Sequence, residues 1–329
     1  MPQPFLYGVY PGGVAGGDSG LLTGPPDDPA RVAACLDDLQ GEAATFVIRC
    51  YDGFHDPGSP FGAKACAPAG YEQYAIAGRR PLELVLQYRS ASGNVAGYLD
   101  FVRAQIERLH PVLYAVQITE EANFTTGPNV IDGPYPDVLR ALTEGVVVAK
   151  QLLGALGRPD IKVGFNSTPT FGGDASFWSS LAPSGFQDSL DYVGLDFFPD
   201  VFRRVTPDGE PGDLASSIVF VLETMREVWL PSAGIPARVP IHITENGWPT
   251  SAGRPAPRQA EVLETVLHTI HNVRDRLGIE RYTLFSLRDV APATPESESN
   301  LFLFFGITTA DYARKPAFEV FRQRIASSV

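Results

Sequence analysis

The chain has 329 residues, with 26 Lys and Arg against 38 Asp and Glu, a formal net charge of −12. That balance argues against a nucleic-acid binder, which needs a basic face to meet phosphates. Hydrophobic residues at 44% and charged residues at 19% exclude a disordered chain, and no stretch approaches the roughly 20 apolar residues of a membrane span.

In chain order, Met1 to Tyr10 lacks the basic region and apolar core of a signal peptide, which predicts a cytoplasmic protein and leaves export open. Short β-rich runs then recur along the whole length: Phe5 to Tyr10, Thr45 to Cys50, Leu82 to Tyr88, Leu113 to Thr119, Ile161 to Phe165, Tyr192 to Phe197, Pro240 to Thr244 and Tyr282 to Ser286. Between them, apolar residues fall at helical spacing in Ala30 to Leu39, Val95 to Leu109, Pro136 to Leu156, Asp174 to Leu181, Leu214 to Trp229, Arg258 to Leu277 and Pro316 to Ile325. The long, irregular second connection leaves its helix the least evident. Length alone suggests about two domains, but α/β barrels reach this size as one unit. Eight even β/α alternations therefore predict an α/β protein built as a single (β/α)8 barrel over residues 1–329.

A doubly wound nucleotide binder fits less well. The glycines Gly12, Gly13, Gly16, Gly17 and Gly20 lack the Lys-Ser/Thr of a phosphate loop and lead into Pro25-Pro26, so they read as a flexible loop. The three cysteines, Cys35, Cys50 and Cys66, are odd in number and not closely spaced, which argues against a disulfide framework. Ala291 to Asn300, rich in Pro, Ser and Glu, reads as a mobile lid whose return is anchored by the apolar run Leu301 to Phe305.

Barrel chemistry sits at the C-terminal ends of the strands. The fourth run ends Gln117-Ile118-Thr119-Glu120-Glu121-Ala122-Asn123, and the seventh ends His242-Ile243-Thr244-Glu245-Asn246-Gly247-Trp248. Alternation puts Ala115, Gln117, Thr119 and Glu121 on the barrel-mouth face, with Glu120 pointing away or toward the rim. Two glutamates projecting over one mouth from different strands can flank a scissile glycosidic bond as nucleophile and acid/base.

Here the sequence resembles a family. Thr244-Glu245-Asn246-Gly247 looks like the nucleophile strand of the clan A glycoside hydrolases, the retaining (β/α)8 enzymes, and Glu120-Glu121-Ala122-Asn123 is similar to that clan's Asn-Glu-Pro-Asn motif. The resemblance implies Glu245 as nucleophile and Glu121 as acid/base. It also implies that Arg49 keeps the nucleophile ionised and that Phe285-Ser286-Leu287-Arg288 forms a sugar platform, with no metal or organic cofactor. Two positions depart from the pattern: Glu120 stands where the clan has Asn, and the sixth strand reads Asp196-Phe197-Phe198-Pro199 with Phe where the clan has Tyr.

Substrate contacts are expected from Arg49, Glu120, Asn123, Asn166, Arg288 and the loop residue His55, which lies between Asp52 and Asp56. Stacking is expected from Trp248, Phe198, Phe54, Tyr10 and Trp178. His242 reads as a hydrogen-bonded core histidine, and Glu264, His268 and His271 as one solvated helix face rather than a metal site. Two other readings stand beside the hydrolase: a carbohydrate-binding or regulatory barrel without catalysis, and a barrel enzyme of unrelated chemistry using Arg49, His55 and the carboxylates.

Overall fold

A computed structural model describes residues 5–17, 20–57, 71–126, 130–170, 174–202, 213–293 and 300–327. Eight parallel strands close into a barrel: β1 (Leu6–Tyr10), β4 (Phe46–His55), β5 (Leu82–Arg89), β6 (Leu113–Ile118), β7 (Lys162–Ser167), β8 (Tyr192–Asp196), β9 (Ile241–Asn246) and β10 (Ile279–Phe285). β1 pairs with both β4 and β10, which closes the ring. Each expected run is a barrel strand, and β4 continues past its expected end at Cys50. The reason is pairing: Tyr51 through His55 stay in register with Val85 through Arg89 of β5.

Helices α1 (Pro29–Gln40), α2 (Tyr71–Ala77), α3 (Val95–Leu109), α4 (Val138–Ala155), α5 (Asp174–Leu181), α6 (Leu214–Thr224), α7 (Leu230–Ser232), α8 (Ala256–Leu277) and α9 (Pro316–Ala326) occupy the connections. Local chemistry sets their starts. Asp28 Oδ1 accepts from the backbone N–H of Ala30 and Arg31 at 3.0 and 3.2 Å, and Pro29 occupies the first helical position. Asn94 caps α3 through the Gly97 N–H at 2.9 Å. The apolar core lies between these helices and the outward faces of the strands, with Leu84, Leu86, Val116, Ile118, Val193 and Ile243 fully buried. Among the described residues no helix is long and apolar enough to cross a membrane.

Among the described residues the glycine-rich stretch is a loop only at Gly12 and Gly13. Val14–Gly17 (β2) and Gly20–Thr23 (β3) pair antiparallel as a hairpin after β1. Gly16 serves close approach, since a Cβ there would lie 2.8 Å from Val130 Cγ2, whereas Gly20, at φ +125° with open space beside it, serves conformational freedom. The hairpin's Leu21 packs on a small apolar cluster of Tyr10, Tyr51 and Val85. Residues 294–299 of the expected lid, and Cys66, lie outside the described residues; Cys35 and Cys50 are buried free thiols.

Inside the barrel the packing is polar. Glu83 of β5 is fully buried, accepting from Arg49 Nη1 at 2.9 Å, from Tyr192 Oη at 3.1 Å and from Arg281 Nη2. Burial opposes its charge, and the Arg281 and Arg49 guanidinium groups overcome that, holding the Glu83 carboxyl down to about 2. A depressed carboxyl contributes stability above its unfolded value, near 4.3, and loses it as pH falls toward about 2. Glu83→Gln would leave two buried guanidinium groups without their counter-charge, a change that costs about 3–5 kcal/mol. We expect that loss in the urea midpoint at pH 7, partly recovered when Arg281→Met is added. A loss below about 1 kcal/mol would show that the bridge contributes no more than a surface pair.

Candidate active site

The C-terminal mouth gathers carboxylates from three strands. Glu120 and Glu121 follow β6, Asp196 ends β8, and Glu245 lies in β9. Glu120, Asp196 and Glu245 each present an oxygen within 4.8 Å of the other two. The guanidinium of Arg49, fully buried on β4, faces them. Its Nη1 donates to Gln117 Oε1 at 2.8 Å as well as to Glu83, Nη2 lies 3.4 Å from Glu120 Oε2, and Nε donates to Tyr51 Oη at 2.7 Å. Glu245 Oε1 stands 3.9 Å from Arg49 Nε and accepts the Tyr51 hydroxyl.

Backbone geometry, not strand alternation, aims the two adjacent glutamates. β6 ends at Ile118, and Thr119 and Glu121 both adopt left-handed φ, +61° and +46°. The reversal brings Glu120 inward, where Gln117 Nε2 donates to its Oε2 at 2.7 Å, and the residue is 4% exposed. The expectation that Glu120 points away or to the rim is therefore corrected: alternation stops where the strand does. Asp132 holds the turn, its Oδ2 accepting from Glu120 N at 2.7 Å while its own N–H donates to Glu120 O at 2.8 Å. Glu121 N donates to Asn166 Oδ1 at 2.8 Å, and Asn166 Nδ2 donates to Asp196 Oδ2 at 2.5 Å. Thr244 Oγ1 donates to Asp196 Oδ1 at 2.7 Å, so Asp196 links the Glu121 turn to the strand of Glu245.

Crowding of like charges in a dry mouth decides the proton affinities. Burial pushes Glu245 up to about 8, Glu120 adds to the rise, and Arg49 and the Tyr51 hydrogen bond oppose it. Glu121 is raised well above the ordinary carboxylate range, first by burial and then by Glu120 and Glu245. Asp196 rises for the same reasons, burial first and then Glu245 and Glu120. Arg49 thus restrains Glu245 without holding it at an ordinary value, because its Nη groups are committed to Glu83, Gln117 and Glu120.

The remaining expected contacts divide. Asn166 joins the site through Glu121 and Asp196. Tyr10 stacks on Phe285 with ring centroids 5.3 Å apart and meets Tyr51 edge-on at the same separation. Half-buried Phe198 packs on Phe285 and Phe305 beside the mouth. His55 is half-buried at the end of β4, and burial, with Arg89, lowers its imidazole to about 4. Trp248 is 5% exposed, donating to Asp200 Oδ2 at 3.2 Å under the Arg254 guanidinium.

Others are occupied elsewhere. Arg288 is 1% exposed and spent on Asp27, Pro25 O and Ala310 O, so it pins the segment before α1 rather than meeting a substrate. Asn123 and Thr168 exchange hydrogen bonds, Nδ2 to O at 2.6 Å and N to Oδ1 at 3.1 Å, which ties two mouth loops together. Trp178 and Phe54 belong to the helix layer, against Trp229 and against Tyr98 and Phe101. His242 is buried and stacked on Tyr192 at 4.3 Å, and Glu264, His268 and His271 are exposed on α8. Sequence reasoning did not single out Tyr51, Asp196 or Asp132. Tyr51 was within reach, since it follows Arg49 by two residues and so shares its strand face.

Comparison with solved structures finds glycoside hydrolase barrels. A family 39 glycoside hydrolase from Bacteroides cellulosilyticus WH2 aligns at TM-score 0.63 and 16% identity, over 98% of this chain and 64% of that one. A family 1 β-glucosidase from Thermotoga maritima aligns at 0.62 and 13%, over 100% and 99% of the two chains. A β-glucuronidase from Ruminococcus gnavus aligns at 0.58 and 14%, over 98% and 50%. The chain thus spans about half of the glucuronidase and under two thirds of the family 39 enzyme. At these identities the likeness establishes the closed (β/α)8 fold. No family model matches the chain, and no curated protein does.

The raised carboxyl of Glu245 makes a prediction that needs no substrate. In the unfolded chain it ionises near pH 4.3, whereas in the folded chain it does so near 8, so its contribution is full at low pH and is lost as pH rises through about 8. Glu245→Gln removes that loss. We expect the variant to gain melting temperature over the parent at pH 9 and to match it at pH 4; a gain equal at both pH values would contradict the burial-driven rise.

Proposed function

We propose that this barrel is a retaining glycoside hydrolase in which Glu245 is the nucleophile and Glu121 the acid/base. The observation that carries the reading is a water-poor mouth holding an acid and a base from different strands. Glu121 is kept protonated by burial, and Glu245 is faced by Arg49 and Tyr51. The glycoside hydrolase barrels that share the fold support the same class. A Glu245 carboxylate oxygen attacks the anomeric carbon while the Glu121 proton passes to the leaving oxygen. Water then attacks the glycosyl ester, giving its proton to Glu121 and freeing the Glu245 carboxylate.

A second reading has one specific observation in its favour: Glu120, and not Glu121, lies in the 4.8 Å cluster with Glu245. Its Oε2 accepts from both Arg49 and Gln117, donors that suit a carboxylate oxygen. Among the described residues no cation donates a hydrogen bond to Glu121, and burial raises its proton affinity, which favours it as the acid.

Two measurements test the assignment. Intact mass after incubation with a series of activated 2-fluoroglycosides should show one adduct that disappears in Glu245→Gly. No adduct across the series would favour the non-catalytic carbohydrate-binding barrel. Glu121→Gln should cut turnover of poor leaving groups by about two to four orders of magnitude and spare activated aryl glycosides, with azide rescue of the latter. The same pattern in Glu120→Gln, and not in Glu121→Gln, would transfer the role to Glu120. Since Glu245 ionises near 8 in the free protein, the acidic limb of kcat/KM should lie near that pH.

A further inference from the structure

The clan resemblance leaves one gap. The sixth strand carries Phe where a tyrosine would contact the nucleophile, and Phe197 and Phe198 have no hydroxyl to give. β4 supplies one from another direction. Tyr51 lies two residues beyond Arg49 on the same inward face, in a part of the strand that exists only because β4 and β5 stay paired to His55 and Arg89. Its ring is held by apolar contacts, edge-on against Tyr10 at 5.3 Å and in the cluster with Val85 and Leu21 of the hairpin. Its hydroxyl is the only polar part, and that part sits between Arg49 and Glu245.

We propose that Tyr51 is the positioning residue of the nucleophile, and that Arg49 acts on Glu245 mainly through the Tyr51 hydroxyl. The inference rests on the retaining reading above. Three observations lead to it. Arg49 Nε donates to Tyr51 Oη at 2.7 Å but stands 3.9 Å from Glu245 Oε1, beyond a hydrogen bond. With its Nε–H donated to that oxygen, the tyrosine proton is directed onward to Glu245 Oε1, and the contact is present. Burial keeps the phenol protonated, well above its ordinary range, so Tyr51 remains a donor throughout the working pH.

The chemical consequence is a division between the two oxygens of Glu245. Oε1 carries the Tyr51 hydrogen bond, and among the described residues Oε2 accepts none. In the first step the Oε2–C1 bond forms as the C1–leaving-oxygen bond breaks. In the second, the water oxygen bonds to C1, the Oε2–C1 bond breaks and its electron pair returns to the carboxylate. The Tyr51 proton stays on Tyr51 in both. Its bond to Oε1 keeps Glu245 ionised before attack and stabilises the carboxylate charge that develops as the ester departs, so both steps depend on it.

Groups facing Glu245 from each packed element set its ionisation: Arg49 and Tyr51 from β4, Glu83 from β5, Glu120 and Glu121 after β6, and Asp196 from β8. Removing the Tyr51 donor from this set raises the Glu245 proton affinity. Tyr51→Phe should therefore lower turnover about tenfold to a hundredfold, the worth of a hydrogen bond to a charged group, and move the acidic limb of kcat/KM to higher pH. Replacement of Tyr51 by 3-fluorotyrosine, which keeps the hydroxyl, should restore the limb. Arg49→Lys should cost much less in the Tyr51→Phe background than alone, because the route through the hydroxyl is already broken.

A readout independent of turnover separates this inference from the retaining assignment. The melting-temperature difference between Glu245→Gln and its parent opens above the unfolded value near pH 4.3 and levels off near 8; in the Tyr51→Phe background the levelling should shift to higher pH and the final difference should be larger. If fluoroglycosides label no protein but that shift occurs, the retaining reading fails and the Tyr51–Glu245 coupling stands. If labelling occurs while Tyr51→Phe leaves both the limb and the melting profile unmoved, Tyr51 only packs against Tyr10 and the inference is overturned. Additive effects of Tyr51→Phe and Arg49→Lys would overturn the relay.

Discussion

The guanidinium of Arg49 is the positive charge around which the mouth is organised, and it is shared. Glu83 below and Glu120 above take its two Nη groups, while Tyr51 takes Nε. A cation divided among several acceptors neutralises none of the remaining carboxylates fully. Glu245, Asp196 and Glu121 are left to compete in a place where burial already disfavours charge, and their proton affinities rise together. The chemistry proposed for the site follows from that shortage: one carboxyl keeps a proton to give, and another loses one late enough to be a strong base.

Below the mouth, the same arginine ties function to stability. Arg49 and Arg281 meet across Glu83, so the charge that faces the site is held from beneath by a fully buried bridge. Such a bridge is costly to break and gives little net stability over an apolar core. Its use here is orientation: with Nη1 fixed on Glu83 and Gln117, the planar guanidinium has a single way to present Nε and Nη2.

The irregular elements complete the site where regular strands cannot. Two left-handed residues after β6 set adjacent glutamates to different tasks, and such backbone costs about 1–3 kcal/mol per residue. Asp132 and Asn166 hold the turn in place by accepting the N–H groups of Glu120 and Glu121. The hairpin after β1 adds Leu21 to the apolar collar around Tyr51, so a segment remote from the carboxylates shapes the donor that reaches one of them.

How much of this was legible beforehand depends on the range of the physics involved. Hydrophobic period is a local property, and the sequence alone determined eight strands, most of the helices between them, and the placing of Glu245 near the end of its strand, whereas Arg49 proved to lie inside β4, which runs on to His55, and Glu121 in the turn after β6. Glycine content misled at Gly16, because a glycine needed for close approach to Val130 looks the same in sequence as one needed for freedom. Glu120 was misdirected by an alternation that ends with the strand, and Arg288, expected at the mouth like Arg49, turned out to be held by Asp27. Tertiary structure decided those points, along with the meeting of Glu83 with Arg281 and of Tyr51 with Glu245, which lie 198 and 194 residues apart. Contacts across a closed barrel are set by strand register and ring closure, and neither is written in any one segment.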